Sequence, residues 1–236
     1  MGKITDTVKV LLIVNILFFV GSQFVPATQS LFALYYPQSP NFQIWQVLTH
    51  MFMHGSFFHI LFNMYALYAF GSSLEVIWGR NRFLFFYFSA GLGSALLHTA
   101  VNHFQFQAGY DALLDMGANA ANINEVLTAP RNTVKGEWLS FYDAFNTPAV
   151  GASGAIYGLL VAFAIYYSEA KLMLLFLPFP IKAKYFVPLM IAGDLFFGLS
   201  GSQTGVAHWA HIGGALVGFI IAWFWKKNSF NSTRIY

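Results

Sequence analysis

Six stretches of the chain, residues 8–25, 57–78, 83–101, 150–167, 185–199 and 206–225, are nearly free of charge, holding only Lys9, Glu75 and Asp194 between them. A bilayer asks each crossing helix for about 20 largely apolar residues, and in lipid a backbone must satisfy its own polar groups, which a helix does. Runs of this length therefore predict membrane-crossing helices. Composition agrees: 57% of residues are hydrophobic and 9% charged, against roughly 25% charged in a soluble domain. One soluble core of 236 residues could not hide so much apolar surface. The expected fold class is all-α, a polytopic bundle of six transmembrane helices. Residues 1–227 form a single membrane domain on this reading, and 228–236 a short, disordered cytoplasmic tail.

A cleaved signal peptide is a rival reading of the first run, which has Lys3 before it and Lys9 at its start and which Pro26 closes. Asn15, Ser22 and Gln23 interrupt that run, and further spans follow, so a retained span is expected. Residues 26–45 carry no charge but hold prolines and aromatics suited to the interface. Gly79 to Arg82 makes a tight turn between the second and third spans. Residues 102–149 hold Asp111, Asp115, Glu125, Glu137 and Asp143 against Arg131 and Lys135, and read as a long solvated loop. Short amphipathic helices are expected there near Tyr110 to Met116 and Asn122 to Leu127.

Cytoplasmic loops retain Lys and Arg. With the N-terminus inside, ten of the twelve basic residues fall on the cytoplasmic side, the exceptions being Arg131 and Lys135. Both termini are then cytoplasmic, and loops 26–45, 102–149 and 200–205 lie outside. The basic residues are scattered singly or in pairs, so they read as topology signals and no nucleic-acid partner is expected. Cysteine is absent, which excludes a disulfide, a thiolate metal site and a cysteine nucleophile.

Under this topology the second, fourth and sixth spans all start from the outside, each with polar residues in its first two turns. Ser153 lies three residues into the fourth, His211 five into the sixth, and His59 and Asn63 share one face near the start of the second at i, i+4 spacing. Ionisable groups in a bilayer usually face a bundle interior or a water-filled cavity, so a shared site is expected. Tyr157 stands one turn beyond Ser153. Gly154 and Gly158 on the fourth span, and Gly214 and Gly218 on the sixth, offer small faces that let helices approach closely. Two readings stand. G-x-x-x-G is a common packing device in membrane helices, and Ser153 could be no more than part of one. Alternatively the small faces bring Ser153 against His211, the base a serine hydroxyl needs to act as a nucleophile. Agreement in depth across three spans favours the second.

His50, His54, His59, His208 and His211 also raise a metal site. On a continuous helix His54 and His59 would point about 140° apart, and no carboxylate is expected beside them, so no metal and no cofactor are expected. Asp194 is expected at the outer end of the fifth span, and Glu75 to pair with Arg80 or Arg82 or to cap a neighbour. Neither receives a catalytic role.

The segments His54 to Asn63 (H-G-S-F-F-H-I-L-F-N), Gly151 to Gly158 (G-A-S-G-A-I-Y-G) and Ala207 to Gly214 (A-H-W-A-H-I-G-G) together resemble the rhomboid intramembrane serine proteases. That resemblance implies a rhomboid-like bundle of the bacterial six-span type. In it Ser153 would be the nucleophile and His211 the base of a dyad without a carboxylate. Tyr157 would pack on the His211 ring, and His59, Asn63 and the Ser153 backbone N–H would form the oxyanion hole, with Gly151 and Gly154 supporting. Many rhomboids carry Trp-Arg where this chain has Trp45-Gln46, which leaves the first outer loop without its arginine anchor.

The expected function is an intramembrane serine endopeptidase acting on transmembrane protein substrates in a lipid bilayer, a bacterial inner (plasma) membrane, with its site near the extracytoplasmic side. The rivals are a non-catalytic rhomboid-like binding or chaperone module, and a small-solute transporter, which would usually show inverted repeats. No such repeat is visible.

Overall fold

The computed structural model describes residues 3–136, 138–173, 179–201 and 204–232, with side chains to 229. It is mostly helical. Helices α1 (Asp6–Phe24) and α2 (Ala27–Phe32) lead to α3 (Gln46–Thr49), a 3-10 turn at His50–Phe52, and α4 (Phe57–Ala66). A π-turn at Leu67–Gly71 joins α4 to α5 (Ser72–Trp78) in one continuous crossing. Then come α6 (Arg80–Asp115), α7 (Ala120–Thr128), α8 (Trp138–Asn146), α9 (Ser153–Tyr166), α10 (Ala183–Ser200) and α11 (His208–Ser232). The strands β1 (Lys171–Leu172) and β2 (Ile181–Lys182) pair antiparallel between α9 and α10.

Five helical segments are long and apolar enough to cross a membrane: Asp6–Phe24, Phe57–Trp78, Arg80–Asp115, Ala183–Ser200 and His208–Ser229. The fourth expected span is different. Helix α9 has 14 residues and so rises about 21 Å, short of the roughly 30 Å hydrocarbon core. It begins at Ser153, three residues later than expected, and nine of its residues are buried. A helix enclosed by its neighbours need not match the bilayer thickness, and α9 lies at the centre of the main core with Phe86, Ala90 and Ala215 packed on it.

Two further expectations are corrected. The third span does not end near Val101, because α6 runs without a break to Asp115 and takes in Tyr110. Residues 102–149 are accordingly not a solvated loop but the end of α6 folded with α7 and α8. Tyr36, Phe106, Leu113, Ile123, Phe141 and Ala144 form a second, smaller core there. The expected helix at Asn122 to Leu127 lies within α7, and Asn119 caps it with a capping box. Acidic residues on the solvent faces masked this amphipathic pattern. Asp143 forms a bidentate pair with Arg131. Glu137 and residues 202–203 and 233–236 lie outside the described residues, while the expected tail is helical as far as Ser232.

Two buried polar side chains pin peripheral segments. Glu75 accepts from the backbone N–H groups of Thr7 (3.3 Å) and Val8 (3.1 Å) and from the Thr5 hydroxyl. It caps the start of α1, where helical N–H groups lack partners, rather than pairing with Arg80 or Arg82. Gln46 is fully buried. Its amide donates to the carbonyls of Ser30 and Asn41 (both 2.9 Å) and its oxygen accepts from the Gln43 N–H (3.1 Å). The loop that lacks an arginine anchor is thus braced by the glutamine in its place.

Candidate active site

Ser56 caps the N-terminus of α4 by accepting from the His59 N–H. This fixes the helix start at Phe57 and puts His59 in its first turn, with the buried Asn63 one turn further on the same face. The premise that His54 and His59 share a continuous helix therefore fails: His54 precedes the cap, and the two rings lie 5.0 Å apart. The segment before α9 is tied from both sides. Leu34 and Ala149 exchange backbone hydrogen bonds of 2.9 and 2.8 Å, and the Gly151 N–H donates to the His50 carbonyl at 2.9 Å. Gly151 holds φ +122°, a conformation that disfavours side chains. A Cβ there would meet the His59 Nε2 at 2.7 Å and the Ser153 Oγ at 3.5 Å, so both groups border one space.

Ser153 is the first residue of α9. The first N–H groups of a helix have no intrahelical acceptor, so the Ser153 N–H is available at the point where its hydroxyl emerges. Helix α11 starts on the same side, and glycines set its distance from α9. A Cβ on Gly218 would lie 2.5 Å from the Gly158 Cα, and one on Gly214 would overlap the Gly154 carbonyl. Packing this close brings the His211 Nε2 to 3.0 Å from the Ser153 Oγ. Tyr157 stacks on the His211 ring at 4.1 Å between centroids and an interplanar angle of 12°. The packing and chemical readings of the glycines are thus one fact, since the close approach creates the serine–histidine contact.

The sequence reading assigned no carboxylate to this pair, and here the structure differs. Asp194, 6% exposed, lies on α10 where that helix runs antiparallel beside the start of α11. Its Oδ1 is 3.0 Å from the His211 Nδ1 and 2.6 Å from the His208 Nδ1. Two sequence signals pointed to it: it is the one charged residue of its apolar run, and His208 and His211 share a helix face at i, i+3 spacing. Asp194, His208 and His211 are also the three groups able to hold a metal ion among the described residues. Both nitrogens approach the same carboxylate oxygen at hydrogen-bond distances. The trio is two imidazole donors on one acceptor.

Behind Ser153 a cavity of about 10 Å³ is lined by His50, Ser94, His98, Gly151 and Ala207. That is roughly the space one water molecule needs, with His50, Ser94, His98 and Ser153 offering polar partners among apolar neighbours such as Leu34 and Ala95. His50 is deeply buried, and this pushes its pKa down to about 4, so the ring is neutral at pH 7. The Asn63 Nδ2 is buried without a hydrogen-bond partner among the described residues.

Comparisons with known proteins place the chain in a family. The Rhomboid domain matches residues 41–228. The chain is 28% identical over 181 residues to the Rhomboid protease AarA of Providencia stuartii, covering 75% of this chain and 54% of that protein. It is 29% identical over 197 residues to the human Presenilin-associated rhomboid-like protein, mitochondrial, covering 82% and 42%. With Rhomboid-like protein 11, chloroplastic, of Arabidopsis thaliana it shares 29% identity over 199 residues, covering 79% and 55%. The chain thus spans about half the length of these relatives. Two of the three bear organellar names, so the expected bacterial type and bacterial inner membrane find no support here, while an integral membrane protein does. The family match and the apolar helices lead to one statement: this chain belongs to the rhomboid family.

Proposed function

We propose that the protein is an intramembrane serine endopeptidase that cleaves other proteins in or beside their transmembrane segments. The observation that carries this reading is the 3.0 Å contact between the Ser153 Oγ and the His211 Nε2. Ser153 attacks the scissile carbonyl while His211 takes its proton, then returns it to the leaving amine. Water next resolves the acyl-enzyme, with His211 again the base, and the cavity behind Ser153 is a place for that water to wait. The oxyanion of each tetrahedral intermediate is met by the Ser153 N–H, the Asn63 amide and His59. Each preorganised donor is worth about 3 kcal/mol in a dry site. Tyr157 holds the imidazole plane, and Gly151, Gly154, Gly158, Gly214 and Gly218 keep the backbones close.

The chain makes six crossings on this reading, with α9 the short central one and both termini in the cytoplasm. Arg82 over Trp225, Lys226 over Tyr166 and Lys227 over Trp223 make a basic, aromatic belt of the kind that marks a cytoplasmic interface. Ser153 and His211 lie in the first turns of their helices at the opposite, extracytoplasmic end. Substrates are transmembrane segments that unwind locally near that face, because a helical carbonyl is blocked by its own hydrogen bond. Gly, Pro or small residues near the cut favour such unwinding. They approach from the bilayer between α4 and α10, as the family resemblance implies.

The test is a fluorophosphonate probe on purified protein in detergent, with a model transmembrane substrate alongside. Labelling and cleavage by wild type, and neither by Ser153→Ala, are expected. Equal labelling of both proteins would leave the non-catalytic, client-binding reading standing instead.

A further inference from the structure

Asp194 is a buried charged group beside Ser153 and His211 that the mechanism above does not use, and its neighbours are ordered around it as a chain. The Thr204 Oγ1 is 2.7 Å from the His208 Nε2, the His208 Nδ1 is 2.6 Å from the Asp194 Oδ1, and that oxygen is 3.0 Å from the His211 Nδ1. The chain ends with the His211 Nε2 against the Ser153 Oγ. Resting on the protease reading, we propose that Asp194 is a positioning residue that makes the site a serine–histidine–aspartate relay, with His208 holding the carboxylate in place.

The argument is one of donors and acceptors. An ionised carboxylate only accepts, so each Nδ1 facing Asp194 must carry its proton. For His211 that leaves the Nε2 lone pair directed at the serine hydroxyl, the tautomer a general base requires. Without Asp194 the ring could settle in the other tautomer, with Nε2–H pointing at Ser153 and no site for the serine proton. The carboxylate also lies beside the positive charge that His211 acquires when it takes that proton. Tyr157 stacks on the ring but does not touch either ring nitrogen's tautomer choice, so stacking alone leaves this function unfilled. His208 is itself fixed, by Thr204 at its far nitrogen and by Phe197 at 5.5 Å between ring centroids. Asp194 on α10 is thus held toward α11 by two imidazoles rather than one.

The test measures cleavage by wild type, Asp194→Asn and Asp194→Ala, with thermal melts to establish folding. Both variants are expected to lose kcat by about 10²- to 10⁴-fold with KM within about 3-fold. Asp194→Asn should be at least as impaired as Asp194→Ala, because its amide N–H faces Nδ1 and favours the wrong tautomer. A purely structural role would not reproduce that order. Retention of kcat within about 3-fold in both variants would overturn the proposal. Should the variants not fold, ¹⁵N-histidine NMR of the wild type decides. His211, identified by the signal missing from His211→Gln, must be the Nδ1–H tautomer, and an Nε2–H tautomer overturns the proposal. A wild type inert to fluorophosphonate would defeat the protease reading, and this one with it. Labelled wild type with undiminished variants would defeat this one alone.

Discussion

Gly214 of α11 faces Gly154 of α9 with so little room that a Cβ on Gly214 would overlap the Gly154 carbonyl. Gly154 follows Ser153, and Gly214 lies three residues past His211, so this contact fixes the gap that the serine–histidine pair must span. A methyl here forces the helices apart at a cost of about 1–3 kcal/mol. Gly214→Ala is expected to lower the thermal midpoint in detergent and to reduce cleavage at least 10-fold, and Gly214→Val to do both more severely. Cleavage at the wild-type rate in Gly214→Ala would show that the pair does not depend on this spacing.

Asn63 provides a contrast in sign. Its buried Nδ2 has no hydrogen-bond partner among the described residues, and an unsatisfied buried donor costs about 1–3 kcal/mol. Stability does not explain such a group, but an oxyanion that appears only during the reaction does. Asn63→Leu, similar in size and without the donor, is expected to lose kcat about 10²- to 10³-fold while its thermal midpoint holds or rises. A fall in stability with kcat preserved would mean that Asn63 is structural.

These two cases show what the sequence made legible. The apolar runs revealed crossings because hydrophobicity is written along the chain, and the serine, histidines and glycines pointed to the candidate site because their expected depths agreed. Asp194 escaped because its partners His208 and His211 come from another helix, and only the antiparallel packing of α10 on α11 brings it to them. The fold of residues 102–149 escaped for a related reason. Its small core borrows Tyr36 from a distant loop and spreads its other members singly or in pairs over the end of α6, α7 and α8, so no local run was apolar enough to announce it. Gln46 looked like a loss only by comparison with arginine, since its bonds go to backbone groups that sequence does not display.

Gln46 therefore offers a direct measurement. Replacing it with Leu leaves the Ser30 and Asn41 carbonyls and the Gln43 N–H without their side-chain partner, at about 1–3 kcal/mol for each group that stays buried. Gln46→Leu is expected to speed limited proteolysis within residues 26–45 and to lower the thermal midpoint, with Asn41 and Ser30 amide neighbours exchanging faster. Unchanged proteolysis would mean that the loop is held elsewhere.

His50 couples the site's scaffold to pH. Burial pushes its pKa from the ordinary 6.5 down to about 4, and the hydrogen bond to the Gln46 carbonyl offsets only part of that. Between those values the unfolded chain binds the proton and the folded chain does not. Stability is therefore fully present above pH 6.5 and is lost as pH falls toward 4. At 1.36 kcal/mol for each pKa unit, the loss from this group is on the order of 3 kcal/mol. Because the His50 carbonyl holds the Gly151 N–H, loosening this region displaces the backbone two residues before Ser153. The thermal midpoint in detergent is expected to drop steeply from pH 6.5 to 4.5 in the wild type and less steeply in His50→Gln, which cannot take up a proton there. Parallel slopes for the two proteins would assign the acid sensitivity to other groups.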